Sequence, residues 1–134
     1  MIDAGGLPLA VGLSAANRHD STLLAQVIDA VPVIIGPRGR PGRPRQRPAK
    51  LHADKAYDLP RCRRGLRRRG IGPRIARRGV ESNRRLGRHR WKAERTLAWL
   101  LGCRRLTLRY ERRPDLLQGL LHLACALLCL RSLR

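Results

Sequence analysis

The chain has 134 residues and a formal net charge of +21, from 30 Lys and Arg against 9 Asp and Glu. That length predicts one domain or a piece of one, and that charge predicts a polyanionic partner, nucleic acid foremost. Two Trp, two Tyr and no Phe disfavour binding single strands by stacking bases on aromatic side chains.

Of the cationic residues 27 are Arg, a bias that GC-rich coding also produces, so the sign of the charge carries more weight than its size. The four Cys contain no CxxC pair and no signal peptide precedes them, which predicts a reduced, cytoplasmic protein.

In chain order, "MIDAGGLPLAVGLSA" reads as the end of one strand, a turn at Asp3–Gly6 and a strand from about Leu7 to Ser14. A hairpin needs partners of similar length to hold register, so this beginning reads as a cut through a sheet. "NRHDSTLLAQVIDAV" predicts a helix capped by Asp20 or Ser21, with Leu23, Leu24, Val27, Ile28 and Val31 as its apolar stripe. Residues 36–49, "GPRGRPGRPRQRPA", can be neither helix nor central strand and predict an exposed, extended loop. "KLHAD" reads as a strand ending at Asp54. "LPRCRRGLRRRG" reads as a basic helix with Leu59, Cys62 and Leu66 inward and Gly70 as its stop, followed by a short strand in "IGPRIAR".

"HRWKAERTLAWLLGCRRL" predicts a helix with Trp91, Leu97, Ala98, Leu100 and Leu101 on its buried side. "PDLLQGLLHLACALLCLRSL" predicts a last helix, apolar round most of its circumference, short for a membrane span and better read as buried. His122, Cys125 and Cys129 share one side of it and read as small buried residues in preference to zinc ligands. The alternation of strands and helices, ending in two helices, is an α/β pattern.

Two acids stand out. Glu94 lies three and seven residues before Leu97 and Leu101, at or near the expected apolar face, where a carboxylate is costly unless paired or bound to metal. A salt bridge to Arg90 or Arg95 is the plainer account of it. Asp54 ends a strand, where the sites of α/β sheets gather; as a plain loop acid beside Lys55 it would carry no chemistry. Asp58 reads as the cap of the helix that follows. Two carboxylates in an Arg-rich surface can hold Mg2+ for displacement at phosphorus, with Arg side chains on the DNA backbone. "RGRP", Arg38–Pro41, has the form of a minor-groove strip; a solvated basic loop is the plainer account, and non-specific phosphate contact comes next.

"LHADKAYD" and "HRWKAERTLAWL" resemble the second and third acidic motifs of the DDE transposases of bacterial insertion sequences. "GLPLAVGLSAANRHDSTLL", "RGRPGRPR" and "RRLTLRYERR" fit the same group in the same order, over essentially the whole chain. The resemblance implies an RNase H-like fold, with Asp54 matching the Asp at the end of the fourth strand and Glu94 the Glu of the catalytic helix. Arg90 matches a basic residue of that helical signature, whereas the signature's Tyr falls on Gly87 and its distal Lys on Leu101. No residue here matches the family's first catalytic Asp, and Asp3 sits in the turn after that position.

Residues 1–134 are therefore expected to form an incomplete RNase H-like catalytic domain lacking its first strand. The resemblance implies Mg2+ at Asp54 and Glu94, and metal-dependent DNA strand cleavage and transfer. It implies double-stranded DNA, both element ends and target, against Arg38, Arg40, Arg43, Arg45, Arg90 and Arg95. The chain is expected to be inactive alone, either as a truncated relic or as the downstream half of a split transposase whose upstream half is a partner. Self-association is compatible with the family, no membrane is expected, and the place of action would be the bacterial cytoplasm at the nucleoid. The alternative function is a non-catalytic basic nucleic-acid-binding protein.

Overall fold

The computed structural model describes residues 1–35, 44–77, 79–80, 87–108 and 110–133, those at 87–90 by backbone only. The chain divides into two compact units, Ser14–Asn83 and a second made of Met1–Leu13 with Arg84–Arg134. The described residues are mixed α/β, as the sequence pattern predicts, with five α-helices and a two-stranded sheet.

Ser14–Asn83 is organised by a strand–helix–strand crossover. Strands β1 (Lys50–Ala53) and β2 (Gly72–Ile75) pair in parallel, Lys50 opposite Gly72 and Ala53 opposite Ile75. Parallel neighbours cannot be joined by a tight turn. Helix α2 (Pro60–Arg68) makes the connection, with Pro60 in its first turn, where the missing N–H has no helical partner to lose. At the other end Gly70 adopts φ +71. Its N–H donates to the Arg67 carbonyl at 2.9 Å, and the Ile71 N–H donates to the Leu66 carbonyl at 3.0 Å. This is a Schellman closure, and the two apolar residues it joins, Leu66 and Ile71, are fully buried.

Helix α1 (Leu24–Asp29) packs on α2. Of its expected stripe, Ile28 and Val31 are buried and Leu23, Leu24 and Val27 half-buried. The expected cap is corrected. A 3-10 turn, Asp20–Thr22, precedes α1, and it is His19 whose Nδ1 accepts from the Ser21 N–H at 3.2 Å. Ser21 is itself buried, its hydroxyl accepting from the Arg61 guanidinium at 2.6 Å. Ile34 and Arg45 exchange both backbone bonds, at 2.9 and 3.0 Å. That bridge brings together the two sides of the segment whose residues 36–43 lie outside the described set.

The other unit is held by its first residues. Asp3 shapes the expected turn, its Oδ1 accepting from the Gly5 and Leu7 N–H groups at 2.8 Å each. Beyond an antiparallel bridge between Ile2 and Pro8, the expected strand over 7–14 is not among the strands of the described residues. The turn instead docks on helix α3 (Gly87–Leu101). Lys92 donates to the Ala4 carbonyl, Arg95 to Gly5 at 3.0 Å and Thr96 to Gly6 at 2.6 Å.

Helices α4 (Arg104–Thr107) and α5 (Pro114–Arg131) complete the unit. Its core is Leu100, Ala124 and Cys125, with Val11, Cys103, Leu106, Leu121 and Leu128 packed around them. The expected burial of α5 is corrected. Leu116, Leu123, Leu127 and Leu130 are exposed, because α3 and α4 cover only one side of it. At 18 residues and mean hydropathy 1.2, α5 is at the lower margin of a membrane span, and a single helix of this kind is weak ground for placing a chain in a membrane.

Gly6 is the position where backbone and packing demands coincide. It has φ +96, and a Cβ there would stand 2.9 Å from the Arg95 guanidinium. Gly79, at φ +76 with nothing within 4 Å, carries the backbone demand alone. Gly6→Ala is expected to destabilise the chain by about 2–3 kcal/mol and Gly79→Ala by about 1 kcal/mol. Thermal unfolding of the two variants checks the order.

Asp29 receives two hydrogen bonds from Arg69, at 2.9 and 2.6 Å. This lowers its carboxyl below the usual 3.8, the hydrogen bond being the leading cause. A depressed folded pKa stabilises fully above the ordinary value and loses that contribution as pH falls through the lowered one. Asp29→Asn is therefore expected to flatten the acid limb of an unfolding-against-pH curve below about pH 3.8 and to leave its slope near neutrality unchanged.

Candidate active site

Asp54 follows the last residue of β1 in extended backbone, φ −69 and ψ 164, and its side chain is exposed. Its Oδ1 accepts from the Lys55 N–H at 2.7 Å and caps a 3-10 turn, Lys55–Tyr57. The carboxylate is thereby oriented by its own loop. This local bond is also the plainest structural reason for an Asp at this position. Asp58, expected as a helix cap, is not one: the cap position of α2 is Leu59, which makes no side-chain cap bond. Asp58 instead accepts from Arg63 at 2.7 Å, and Arg63 also donates to the Ile75 carbonyl at 2.8 Å. Both partners are largely covered, and the ion pair, worth on the order of 1 kcal/mol, ties the start of α2 to the end of β2. His52 is exposed on β1, opposite Arg74 in register.

Tyr57 was not singled out by the sequence, since one Tyr in a polar stretch carries no periodic signal. It lies three residues beyond Asp54, one 3-10 turn away. Burial raises its phenol above 10.0, and Asp20, Cys62 and Asp54 add to the rise. The Asp20 carboxylate is therefore near enough to Tyr57 to be felt, consistent with the packing of the two 3-10 turns against each other.

Glu94 belongs to the other unit, on α3, and is exposed. The expectation that it lies on a buried apolar face is corrected. Trp91, Leu97 and Leu101, which share its side, are 47%, 56% and 57% exposed, whereas Thr96 and Leu100 are 2% and 5% exposed. The inward side of α3 is the one that meets the Asp3–Gly6 turn, and Glu94 faces away from it.

Arg95 is held in place. Its guanidinium lies 4.8 Å from the Trp91 ring centroid and 4.9 Å from that of Trp99, it bonds Gly5, and its Nε is buried without a partner among the described residues. Arg45 is exposed beside its bridge to Ile34. Arg38, Arg40 and Arg43 lie outside the described residues, as does the side chain of Arg90. On α5, His122 pairs with Gln118 at 2.8 Å and the Cys129 thiol meets the Pro8 carbonyl at 3.8 Å.

Among the described residues no three His, Cys, Asp or Glu side chains cluster to hold an ion. Asp54 and Glu94, in different units, each offer carboxylate oxygens, a donor type that suits a hard cation such as Mg2+ and not a soft one.

The transposase DDE domain family matches residues 1–129. A protein named as a transposase for insertion sequence element IS402 of Burkholderia cepacia is 50% identical over 132 residues, 98% of this chain and 61% of that protein. The chain thus spans about three-fifths of that relative's length. No solved structure matches it.

The environment of Tyr57 is open to direct titration. In a Tyr110→Phe background, ultraviolet titration should place the Tyr57 midpoint above 10.0, and Asp20→Asn should bring it down, because removing a negative neighbour favours the phenolate.

Proposed function

This chain belongs to the DDE transposase family, and we propose that it is the part of an insertion-sequence transposase carrying two of the acids that act in DNA strand cleavage and transfer. The observation that supports this most directly is Asp54: an exposed, pre-oriented carboxylate directly after a strand of a parallel pair, in the motif that resembles the family's second acid. Glu94 is assigned as its partner from the family signature on α3. In this reading the two side chains would hold Mg2+, which when bound activates the attacking oxygen and stabilises the leaving one. The protein's own work is to aim the carboxylates, Asp54 through its Lys55 N–H bond and Glu94 through the orientation of α3, and to gather the DNA backbone with Arg.

The assigned DNA contacts are Arg38, Arg40, Arg43 and Arg45 of the basic loop and Arg90 of α3. Arg95, already bonded to Gly5 and stacked between two indoles, is given a scaffold role in place of the DNA contact expected from sequence. We further propose an RNase H-like domain, with double-stranded element ends and target DNA as substrates, in the bacterial cytoplasm at the nucleoid. The family's first acid has no match in this sequence, so the 134 residues alone are expected not to cleave DNA. Self-association and assembly with an upstream half of a split enzyme both fit this reading.

Within an active transposase that contains this sequence, Asp54→Asn and Glu94→Gln should each lower metal-dependent strand cleavage by on the order of 10³-fold or more, with DNA affinity little changed. Full activity in both variants would remove the catalytic assignment and leave a non-catalytic DNA-binding role.

A further inference from the structure

We propose that the solvent side of α2 is a contact surface for the backbone of duplex DNA, formed by Arg61, Arg64, Arg67 and Arg68. The choice of DNA as the polyanion rests on the transposition reading; the surface itself rests on how the structure divides the arginines of this helix. At about 100° per residue, Cys62 and Leu66 point inward and are buried. Arg63 and Arg69 flank them and are neutralised, by Asp58 at 2.7 Å and by Asp29 at 2.6 Å. Arg61, Arg64, Arg67 and Arg68 fall within an arc of about 120° on the outside, over about 10 Å of helix, and all four are exposed.

Arg61 donates to Ser21, a neutral partner, so its charge is retained. Among the described residues no acid pairs with Arg64, Arg67 or Arg68. Of the described acids of this unit, Asp29 and Asp58 are engaged in ion pairs and Asp54 caps its own turn.

Such a stripe is unfavourable by itself. Arg64 has like charges three residues to either side and four residues ahead, and pairs at those spacings weaken a helix. The helix dipole relieves this for Arg67 and Arg68 in the last turn but not for Arg64. A phosphate backbone laid along the arc removes the repulsion and releases its own condensed counterions. The stripe lies in the same unit as Asp54, on the helix that follows Asp54's turn.

The test is fluorescence anisotropy of the purified 134-residue chain on a labelled duplex of arbitrary sequence across a salt series, with EDTA present so that no metal site contributes. Arg64→Gln/Arg67→Gln/Arg68→Gln should make the slope of log affinity against log salt shallower by about 2 to 3. A charge-matched control, Arg104→Gln/Arg112→Gln/Arg131→Gln, removes exposed arginines from the other unit and should change the slope by less than about one contact's worth, 0.9. Thermal unfolding should be no lower than that of the wild type, because the substituted side chains are exposed and their mutual repulsion is removed; were the triple variant unfolded, Arg64→Gln and Arg68→Gln singly should each flatten the slope by about 0.9. An unchanged slope in the α2 variants, an equal loss in the control, or a loss seen on single-stranded RNA but not on duplex DNA would each overturn the proposal. A wild-type chain that does not bind duplex would overturn it too, while the roles of Asp54 and Glu94 would still be decided separately by the cleavage assay.

Discussion

Three consecutive backbone carbonyls, those of Ala4, Gly5 and Gly6, accept hydrogen bonds from Lys92, Arg95 and Thr96. These donors sit at positions i, i+3 and i+4 of α3 and so share one side of it. The contact joins residues about ninety apart in sequence, and it sets the rotation of α3 about its own axis. Thr96 is 2% exposed, and its hydroxyl satisfies a carbonyl that would otherwise be buried without a partner, a loss of about 1–3 kcal/mol. Gly6 suits this turn because its φ of +96 is a conformation that L side chains rarely adopt. Once the side bearing Lys92, Arg95 and Thr96 is committed to the turn, Leu100 follows one turn later into the core with Ala124 and Cys125. Glu94, two residues and about 200° round from Thr96, is directed to the solvent side.

The same economy governs the excess positive charge. A chain at +21 repels itself, and the described structure places part of that charge in scaffold contacts. Arg63 bridges Asp58 and the end of β2, Arg69 closes on Asp29, and Arg95 lies between two indole rings over the Gly5 carbonyl. Each of these guanidiniums has oxygen or aromatic partners within reach, so its desolvation is offset. The arginines without such partners among the described residues are on outward surfaces, where only water or a polyanion can meet them. A high Arg content is thus two populations with different physical roles, which composition cannot tell apart.

Much of the fold was legible. The strand before Asp54, the basic helix after it, its stop at Gly70 and the next strand follow from short-range rules of turn and capping chemistry, and all four are present. Trp91, Leu97 and Leu101 were assigned to the core of α3 because they are apolar, and Asp20, Ser21 and Asp58 were assigned as caps because their residue types suit caps. For α3 and Ser21 a partner distant in sequence decides otherwise, the Asp3–Gly6 turn and Arg61; for Asp20 and Asp58 it is a near one, the adjacent His19 as cap and Arg63 five residues on. A polar residue such as Thr96 can occupy the inward side of a helix when a buried carbonyl waits for it, and nothing local announces that carbonyl.

By itself the sequence determined the charge, the elements from β1 to α5 and the motifs that resemble the family's. These depend on residue type and on spacings shorter than one element, which survive without knowledge of neighbours. Only the tertiary structure decided which side of α3 is buried, which arginines are engaged internally, what Asp58 holds, and that Asp20 lies within electrostatic reach of the Tyr57 phenol beside Asp54. Most of those outcomes depend on contacts between residues far apart in the chain, and all of them on hydrogen-bond satisfaction and exclusion of water more than on local preference.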